Sequence, residues 1–270
     1  MAARQDSAFR KLHGGPEAFI IPNPWDIGTA KLLASLGFKA LATTSAGFAF
    51  SRGLPDGGID FEQMMAHCRE LVTATDLPVS ADLEHGKGDS ADSAAETIFA
   101  AEAAGLAGCS IEDATGDKNK PIYDFNQAVE RVAAAAEAAK SLRRDFVFTA
   151  RAENFLHGRD DLDDTIKRLQ AYEKAGADVL YAPGLTDIKM VRTICQSVSR
   201  PVNVLAVPQL TMAQLNEAGA RRISVGSKLT NYAFASVEKA SREMLDHGTF
   251  TYARDAMPYA TLQKLFSPGG

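Results

Sequence analysis

The sequence Ser-Ala-Asp-Leu-Glu-His-Gly-Lys-Gly, at residues 80–88, follows a short apolar segment at residues 77–79. The apolar segment is typical of a buried strand, and the glycines that follow it predict a loop. Alternate residues of a strand lie on one face, so the carboxylates of Asp82 and Glu84 should share a face where this strand ends. Two acids in this position are costly to desolvate. They favour a divalent metal ion, and a solvated acidic turn is the alternative.

The same unit of strand, loop and helix occurs eight times along the chain. The predicted strands cover residues 18–22, 39–44, 77–84, 107–112, 145–150, 177–182, 201–206 and 221–225. The predicted helices cover residues 28–36, 61–73, 90–104, 125–142, 162–175, 186–198, 211–218 and 229–245, and a loop is predicted from residue 45. Eight alternations predict parallel strands closed into a (β/α)8 TIM barrel, with a doubly wound open sheet as the alternative. Because barrel sites form at the carboxyl ends of the strands, residues at those ends are the candidates for chemistry.

Composition narrows the class of protein. No Pro/Gly/Ser-rich linker divides the chain, so we predict one barrel domain over residues 1–270, with a C-terminal helical extension at about 250–270 that contains a helix at 258–265. No apolar run approaches a membrane span, and a net charge of -5 without a basic stripe argues against nucleic acid as a partner. Three scattered cysteines and an N-terminus without a secretory pattern predict a cytoplasmic protein without disulfides. A small molecule is therefore the expected partner.

Polar residues gather at the predicted strand ends. They are Ser45, Ala46 and Gly47 after the second strand, Asp82 and Glu84 after the third, Glu112 and Asp113 after the fourth, Arg151 and Glu153 after the fifth, and Asn203 in the seventh. Oxygen ligands without histidine suit a hard ion such as Mg²⁺ or Mn²⁺, whose coordination substrate oxygens would complete. The guanidinium of Arg151 matches a carboxylate, and Ser45 with the amides of Ala46 and Gly47 could hold the same group. This combination predicts a 2-oxo acid site in which a metal ion stabilises an enolate.

Some of these residues have simpler interpretations. Arg151 could instead form a salt bridge inside the barrel with Glu84 or Glu112. Trp25 and Asp26, at the end of the first strand, could line the pocket, and Asp26 could equally cap the following helix.

Other residues offer weaker signals. His85 is a lone loop histidine and receives no role, and Cys109 lies in the middle of a strand and is expected in the core. Gly226 and Ser227, at the end of the eighth strand, could form a phosphate cradle. A Schiff-base lysine is disfavoured, because the sixth strand contains no lysine.

Six segments form a set in chain order: Asn-Pro-Trp-Asp at 23–26, Thr-Ser-Ala-Gly at 44–47, Gly-Leu-Pro-Asp-Gly at 53–57, Ser-Ala-Asp-Leu-Glu-His-Gly at 80–86, Ser-Ile-Glu-Asp at 110–113 and Thr-Ala-Arg at 149–151. Taken together, they resemble the isocitrate lyase and phosphoenolpyruvate mutase superfamily, which includes 2-methylisocitrate lyase-like and phosphonopyruvate-type enzymes. The resemblance implies a (β/α)8 barrel whose eighth helix is exchanged between subunits of a dimer or tetramer. It also implies a Mg²⁺-dependent reaction on a 2-oxo acid, dicarboxylate or phosphonate that cleaves or forms a C–C or P–C bond.

The same resemblance implies roles for individual residues. Asp82 corresponds to the direct metal ligand, and Asp56, Glu84 and Glu112 correspond to acids that hold the ion directly or through water. The groups that bind the carboxylate and keto oxygens of the substrate in the family correspond to Ser45, the amides of Ala46 and Gly47, and Arg151. Asn203 is a looser match to an asparagine that contacts the substrate.

The loop after the fourth strand departs from the lyase pattern. Lyases of the family carry a cysteine there as acid or base, whereas residues 114–123 read Ala-Thr-Gly-Asp-Lys-Asn-Lys-Pro-Ile-Tyr and contain none. The sixth strand also ends in Ala-Pro-Gly at 182–184, where those lyases place a glutamate. Mutases and phosphonopyruvate hydrolases of the family use a lysine and an asparagine in a gating loop, so Lys118 and Asn119 are candidate catalytic residues, with a solvated turn as the alternative. We therefore predict a Mg²⁺-dependent lyase or related C–C or P–C bond enzyme, with a non-catalytic 2-oxo acid binding protein as the second hypothesis.

Overall fold

A computed structural model describes residues 6–267 of the chain. It contains one sheet of eight parallel strands: β1 (Phe19–Ile21), β2 (Leu41–Ala42), β3 (Val79–Asp82), β4 (Gly108–Glu112), β5 (Val147–Arg151), β6 (Val179–Tyr181), β7 (Val202–Leu205) and β8 (Arg222–Ser224). Neighbours in the chain pair from β2 to β8, and β8 pairs with β1. The amide of Ala42 donates to the carbonyl of Pro22 at 3.0 Å and brings β1 and β2 together. The predicted (β/α)8 barrel is confirmed, and the open sheet is not found.

Helices surround the barrel. They are α1 (Ala8–His13), α2 (Ile27–Ser35), α3 (Ser45–Ser51), α4 (Phe61–Ala74), α5 (Ala91–Ala103), α6 (Phe125–Ser141), α7 (Leu162–Ala175), α8 (Ile188–Ser197), α9 (Met212–Glu217), α10 (Lys228–His247) and α11 (Tyr259–Phe266), with short 3-10 helices at Asn154–His157 and Thr251–Arg254. The main core lies between the outward faces of the strands and the helices, where Phe148 and Ala150 of β5 are buried. Cys109 belongs to this core, as predicted.

Helix α3 corrects the loop predicted from residue 45. Thr44 caps it, because the Thr44 hydroxyl accepts a hydrogen bond from the Gly47 amide at 3.1 Å. The glycine suggested a loop, but its reason is close packing: a Cβ atom at Gly47 would lie 2.5 Å from Oγ1 of Thr230 in α10. The glycine therefore marks a contact between helices.

Helix α1 has no counterpart in the sequence prediction, because its six residues are too few for a periodic pattern. It closes the amino-terminal end of the barrel. Phe9 is 1% exposed and packs with Ile21, Val147 and Val179 at the bottom of the strands. Ion pairs from Arg10 to acids at the start of two strands fix the helix in this position.

The segment predicted as a C-terminal extension contains a 3-10 helix at Thr251–Arg254 and helix α11. Helix α11 covers the segment in which a helix was predicted and contacts α2. Residues 1–5 and 268–270 of the predicted domain and extension lie outside the described residues. Within residues 6–267, no helix combines the length and the apolar character needed to cross a bilayer.

Helix α10 is largely uncovered. Thr230 is its buried residue, whereas Phe234, Val237 and Leu245, which share one face by helical spacing, are 52%, 65% and 84% exposed. A long helix with an exposed apolar face is what the predicted exchange between subunits requires, and the exchange itself stays a prediction.

The substitution Val237→Glu is expected to lower the molar mass of the protein in solution, measured by light scattering after size exclusion, from that of a dimer or tetramer towards one chain. A charge on this face would be costly to bury between subunits. Lys174→Glu, at an exposed position of α7, is the control and should keep the wild-type mass. A wild-type protein with the mass of a single chain would contradict the prediction.

A buried histidine joins α1 to the barrel. The ring of His13 lies between the rings of Phe9 and Phe19, its Nδ1 atom is 2.9 Å from the Phe9 carbonyl oxygen, and its Nε2 atom is 3.4 Å from Nη1 of Arg222. These partners require a hydrogen on Nδ1 and a lone pair on Nε2, which is the neutral ring. Burial first, and then the positive charges of Arg222 and Arg10, lower the pKa of His13 to about 3.

This pKa makes stability depend on pH. Between about pH 6.5 and pH 3 the unfolded chain binds a proton at His13 that the folded chain does not, so stability falls as the pH is lowered, by at most about 1.4 kcal/mol per pH unit from this group. In urea unfolding between pH 7 and pH 4, His13→Gln should therefore lose less stability than the wild type. His247→Gln, at an exposed position of α10, is the control. Equal pH slopes for the wild type and His13→Gln would contradict the prediction.

Candidate active site

A cavity of about 720 Å³ occupies the barrel, and each of the eight strands contributes at least one residue to its lining. Strand pairing explains which residues face it. Glu112, Arg151, Tyr181, Asn203 and Arg222 are direct partners on successive strands, so their side chains point to the same side of the sheet. All five line the cavity. The barrel interior is therefore polar.

The guanidinium of Arg151 is the centre of an ion cluster. Its Nη1 atom lies 2.6 Å from Oδ1 of Asp82, and its Nη2 atom lies 3.0 Å from Oε2 of Glu112 and 2.8 Å from Oε1 of Glu153. Arg151 therefore forms a salt bridge inside the barrel, as its simpler interpretation predicted. Glu112 is one of the two predicted partners, and the other partners are Asp82 and Glu153 rather than Glu84. One cation is shared by three acids.

Glu84 adds a further acid to this wall of the cavity. Strand β3 ends at Asp82, two residues earlier than predicted, because Glu84 adopts a left-handed backbone conformation with φ of 49°. Both carboxylates still line the cavity. Burial, followed by repulsion from Asp82 and Asp56, raises the pKa of Glu84 to about 7. The cavity wall therefore carries more acidic side chains than Arg151 pairs with.

The four predicted metal ligands, Asp56, Asp82, Glu84 and Glu112, all line the cavity. Within residues 6–267 no three His, Cys, Asp or Glu side chains are grouped closely enough to hold a metal ion. Asp82 and Glu112 bind Arg151 instead, and the Ser45 hydroxyl donates to Oδ2 of Asp82 at 3.1 Å. An excess of carboxylate oxygens nevertheless fits a hard divalent ion in its chemistry.

Only some of the residues predicted to bind the substrate carboxylate line the cavity. Ser45 and Ala46, at the start of α3, line the cavity, as does Asn203. Gly47 is absent from the lining, and its amide donates to the Thr44 hydroxyl within the helix cap. Trp25, predicted to line the pocket, is half-buried and absent from the cavity lining, and its carbonyl lies 2.9 Å from Nε2 of His67.

The loop at residues 114–123 places Lys118 and Asn119 in solvent, outside the cavity lining. The Asn119 amide donates to the Asp117 side chain at 2.8 Å, and a short bridge between Ala114 and Ile122 closes the base of the loop. From this loop, Ala114 and Gly116 reach the cavity.

Two other sequence signals are placed by the structure. His85 lines the cavity. The amides of Val225 and Gly226 both donate to Oδ1 of Asn23, at 2.8 and 3.0 Å, so the Gly226 amide proposed for a phosphate cradle already has a partner.

Two inward-facing residues, the last of β6 and the first of β8, were missed by sequence reasoning. Tyr181 lies below Arg151, whose guanidinium carbon is 5.1 Å from the ring centre, and Arg222 is a buried cation in β8. One signal was available for Arg222: Arg221 and Arg222 are consecutive in a strand, and alternation must turn one of them inward.

A second buried network lies behind Glu153. The carboxylate of Asp113 accepts hydrogen bonds from the Glu153 amide at 2.8 Å, from Nη1 of Arg168 at 3.0 Å and from the Tyr172 hydroxyl at 2.6 Å. Because Glu153 in turn contacts two nitrogens of Arg151, this network fixes the orientation of the Arg151 guanidinium.

Comparisons with known proteins agree with this geometry. Residues 9–245 match the phosphoenolpyruvate phosphomutase family. The 2-methylisocitrate lyase of Escherichia coli K12 is 33% identical over 202 residues, which are 70% of this chain and 67% of that protein. The crystal structure of a candidate lyase/mutase from Burkholderia cenocepacia J2315 is 52% identical with a TM-score of 0.95, covering 97% of this chain and 95% of that one. A 2,3-dimethylmalate lyase structure is 26% identical with a TM-score of 0.84, covering 97% and 95%.

The matched segment includes all eight strands and every residue assigned to the cavity wall. The chain therefore belongs to the phosphoenolpyruvate phosphomutase family, within the isocitrate lyase and phosphoenolpyruvate mutase superfamily, and is an enzyme of the lyase, mutase or hydrolase type.

Proposed function

We propose that the protein is a Mg²⁺-dependent lyase, or a related enzyme that cleaves or forms a C–C or P–C bond, acting on a small 2-oxo acid or its adduct. The observation that carries this proposal is the Arg151 cluster, in which one guanidinium faces an excess of carboxylates inside a polar cavity. The relatives named as 2-methylisocitrate lyase and 2,3-dimethylmalate lyase support it. The non-catalytic binding protein considered from the sequence has no such support.

Asp82 would hold the ion, with Asp56, Glu84 and Glu112 acting directly or through water. The raised pKa of Glu84 supports this assignment, because mutual repulsion among these acids is what a divalent cation relieves. When bound, Mg²⁺ or Mn²⁺ supplies positive charge that stabilises the enolate of a 2-oxo acid.

Arg151 and Ser45 would bind the carboxylate of the substrate. A guanidinium has five N–H donors in a planar fork, so Arg151 can keep its contact with Glu153 and still donate to a substrate carboxylate. The Ser45 hydroxyl and the Ala46 amide lie at the start of α3, where helix geometry leaves N–H groups unpaired. Asn203 would contact the substrate from β7 on the opposite side of the cavity.

Lys118 and Asn119 would contribute the acid or base after the loop at residues 114–123 moves towards the cavity. Their present exposure requires this movement. The ion pair between Lys120 and Asp124, at 2.8 Å, is solvent-exposed and offers little resistance to it.

Binding of oxalate, a two-carbon diacid that resembles the enolate end of a 2-oxo acid, tests the metal and the carboxylate grip together. In calorimetry the wild type should bind oxalate with Mg²⁺ and not with excess EDTA. Asp82→Asn should weaken this binding by about 10-fold or more, since even changes outside the ligand shell have effects of this size. Asp163→Asn, at an exposed position of α7, is the control. Oxalate binding that is unchanged both by EDTA and by Asp82→Asn would refute the metal site.

The substitution Arg151→Lys tests the fork geometry. The ammonium cannot hold Glu153 and a substrate carboxylate in one plane, so oxalate affinity should fall by about 1 to 3 kcal/mol, the range of a hydrogen bond to a charged group. Unchanged affinity would return Arg151 to a purely structural role. Product analysis by NMR on a panel of 2-oxo acids, malates and phosphonates would then identify the bond that breaks.

A further inference from the structure

Arg222 forms the floor of the cavity. It is 5% exposed and is the first residue of β8, below the carboxyl ends of the strands. Its Nε atom donates to Oδ1 of Asn203 at 2.9 Å, its Nη2 atom donates to Oγ1 of Thr149 at 2.9 Å, and its Nη1 atom lies 3.4 Å from Nε2 of His13. All three partners are neutral.

No carboxylate pairs with Arg222 among the residues that the structure describes. Two other buried arginines have acidic partners: Arg151 has three, and Arg168 has Asp113 and Asp164. Buried Arg131 has no ion pair in the described part of the chain either, but it lies outside the cavity lining and donates to three backbone carbonyls. Burial of a cation without an anion is costly. Burial, together with the positive charge of Arg151, lowers the pKa of Arg222 to about 10, so the guanidinium keeps its charge at neutral pH.

The hydrogen bond to Thr149 shows how deep in the barrel the Arg222 guanidinium lies. Thr149 and Arg151 are two residues apart on β5, and both point inward, so the Arg222 guanidinium lies about one inward layer below Arg151, or about 7 Å along the strand. The cavity is continuous between them, because Arg151 and Arg222 both line it. A ligand held at Arg151 can therefore extend down to Arg222.

The floor suits a singly charged group. The three contacts of Arg222 use three of its five N–H groups, which leaves two donors. Ser110, which pairs with Thr149, adds a hydroxyl group to the lining at this depth, and Ser224 adds another two residues farther along β8. One unbalanced positive charge with neutral donors around it matches one carboxylate better than a doubly charged phosphonate.

We propose that Arg222 is the anchor of a second anion subsite, which binds the distal carboxylate of a 2-oxo diacid, or of its adduct, whose first carboxylate is held by Arg151 and Ser45. This inference rests on the proposed function and adds the substrate class: a diacid whose carboxylates are separated by a chain long enough to join the two arginines.

Pairs of acids with equal chain length isolate the second carboxylate. The probes are oxaloacetate against 2-oxobutyrate, with four carbons each, and 2-oxoglutarate against 2-oxovalerate, with five, all measured by calorimetry on the full chain with Mg²⁺. The wild type should prefer the diacid of at least one pair by about 10-fold or more, the effect of a charged hydrogen bond. Arg222→Met, which keeps the length of the side chain and removes its charge, should abolish this preference, whereas oxalate, which has no distal carboxylate to reach Arg222, should still bind.

The oxalate measurement separates the two proposals. If the wild type binds oxalate but prefers neither diacid, the subsite is refuted and the proposed function is untouched. If it does not bind oxalate, the proposed function fails, and the subsite survives only if diacid binding still depends on Arg222. A preference retained in Arg222→Met refutes the subsite in either case.

A second variant tests the proposal if Arg222→Met does not fold. Circular dichroism would detect that loss of folding. Arg222→Lys keeps a cation but cannot bridge Asn203, Thr149 and a ligand at once, so the diacid preference should fall by about 3-fold or more while folding is kept. An unchanged preference in Arg222→Lys would refute the assignment of the subsite to the guanidinium fork.

Discussion

The buried guanidinium of Arg151 is the interaction on which the cavity depends. It holds Asp82 of β3, Glu112 of β4 and Glu153 beyond β5 within 3.0 Å of its nitrogens. Without this cation, three carboxylates would face one another in a low-dielectric interior, and burial would drive them to take up protons. The positive charge of Arg151 offsets part of this effect, although burial still holds the pKa values of Glu112 and Glu153 above their usual range, and the same acids hold the arginine in place for an incoming carboxylate.

Periodicity was enough to predict the barrel, because each strand and helix repeats one pattern and short connections allow few arrangements. The errors came from contacts between distant segments. Gly47 suggested a loop, yet the residue is small because Thr230 packs against it. Helix α1 carries no periodic signal of its own, and its position is set by Phe9 entering the bottom of the barrel.

The residues of the candidate site likewise fall into those that the sequence could place and those that it could not. Asp82, Glu112 and Arg151 could be placed from sequence because they end strands, and the fold brings those ends together. Arg222 could not, because a residue inside a strand faces the cavity or the helices according to the register, which a single sequence does not reveal. The hydrogen bonds that occupy the Gly47 and Gly226 amides likewise depend on the side chains of Thr44 and Asn23.

The interior of a (β/α)8 barrel is usually filled with layers of branched apolar side chains. Here a polar row from Glu112 to Arg222 replaces them and leaves a cavity of about 720 Å³, so stabilisation must come from the outer core and from helix α1 at the bottom. That closing helix is also part of the floor, because His13 accepts from Arg222 through its neutral ring. Protonation of His13 would place two positive charges in contact, which couples the closure of the barrel to the electrostatics of its floor.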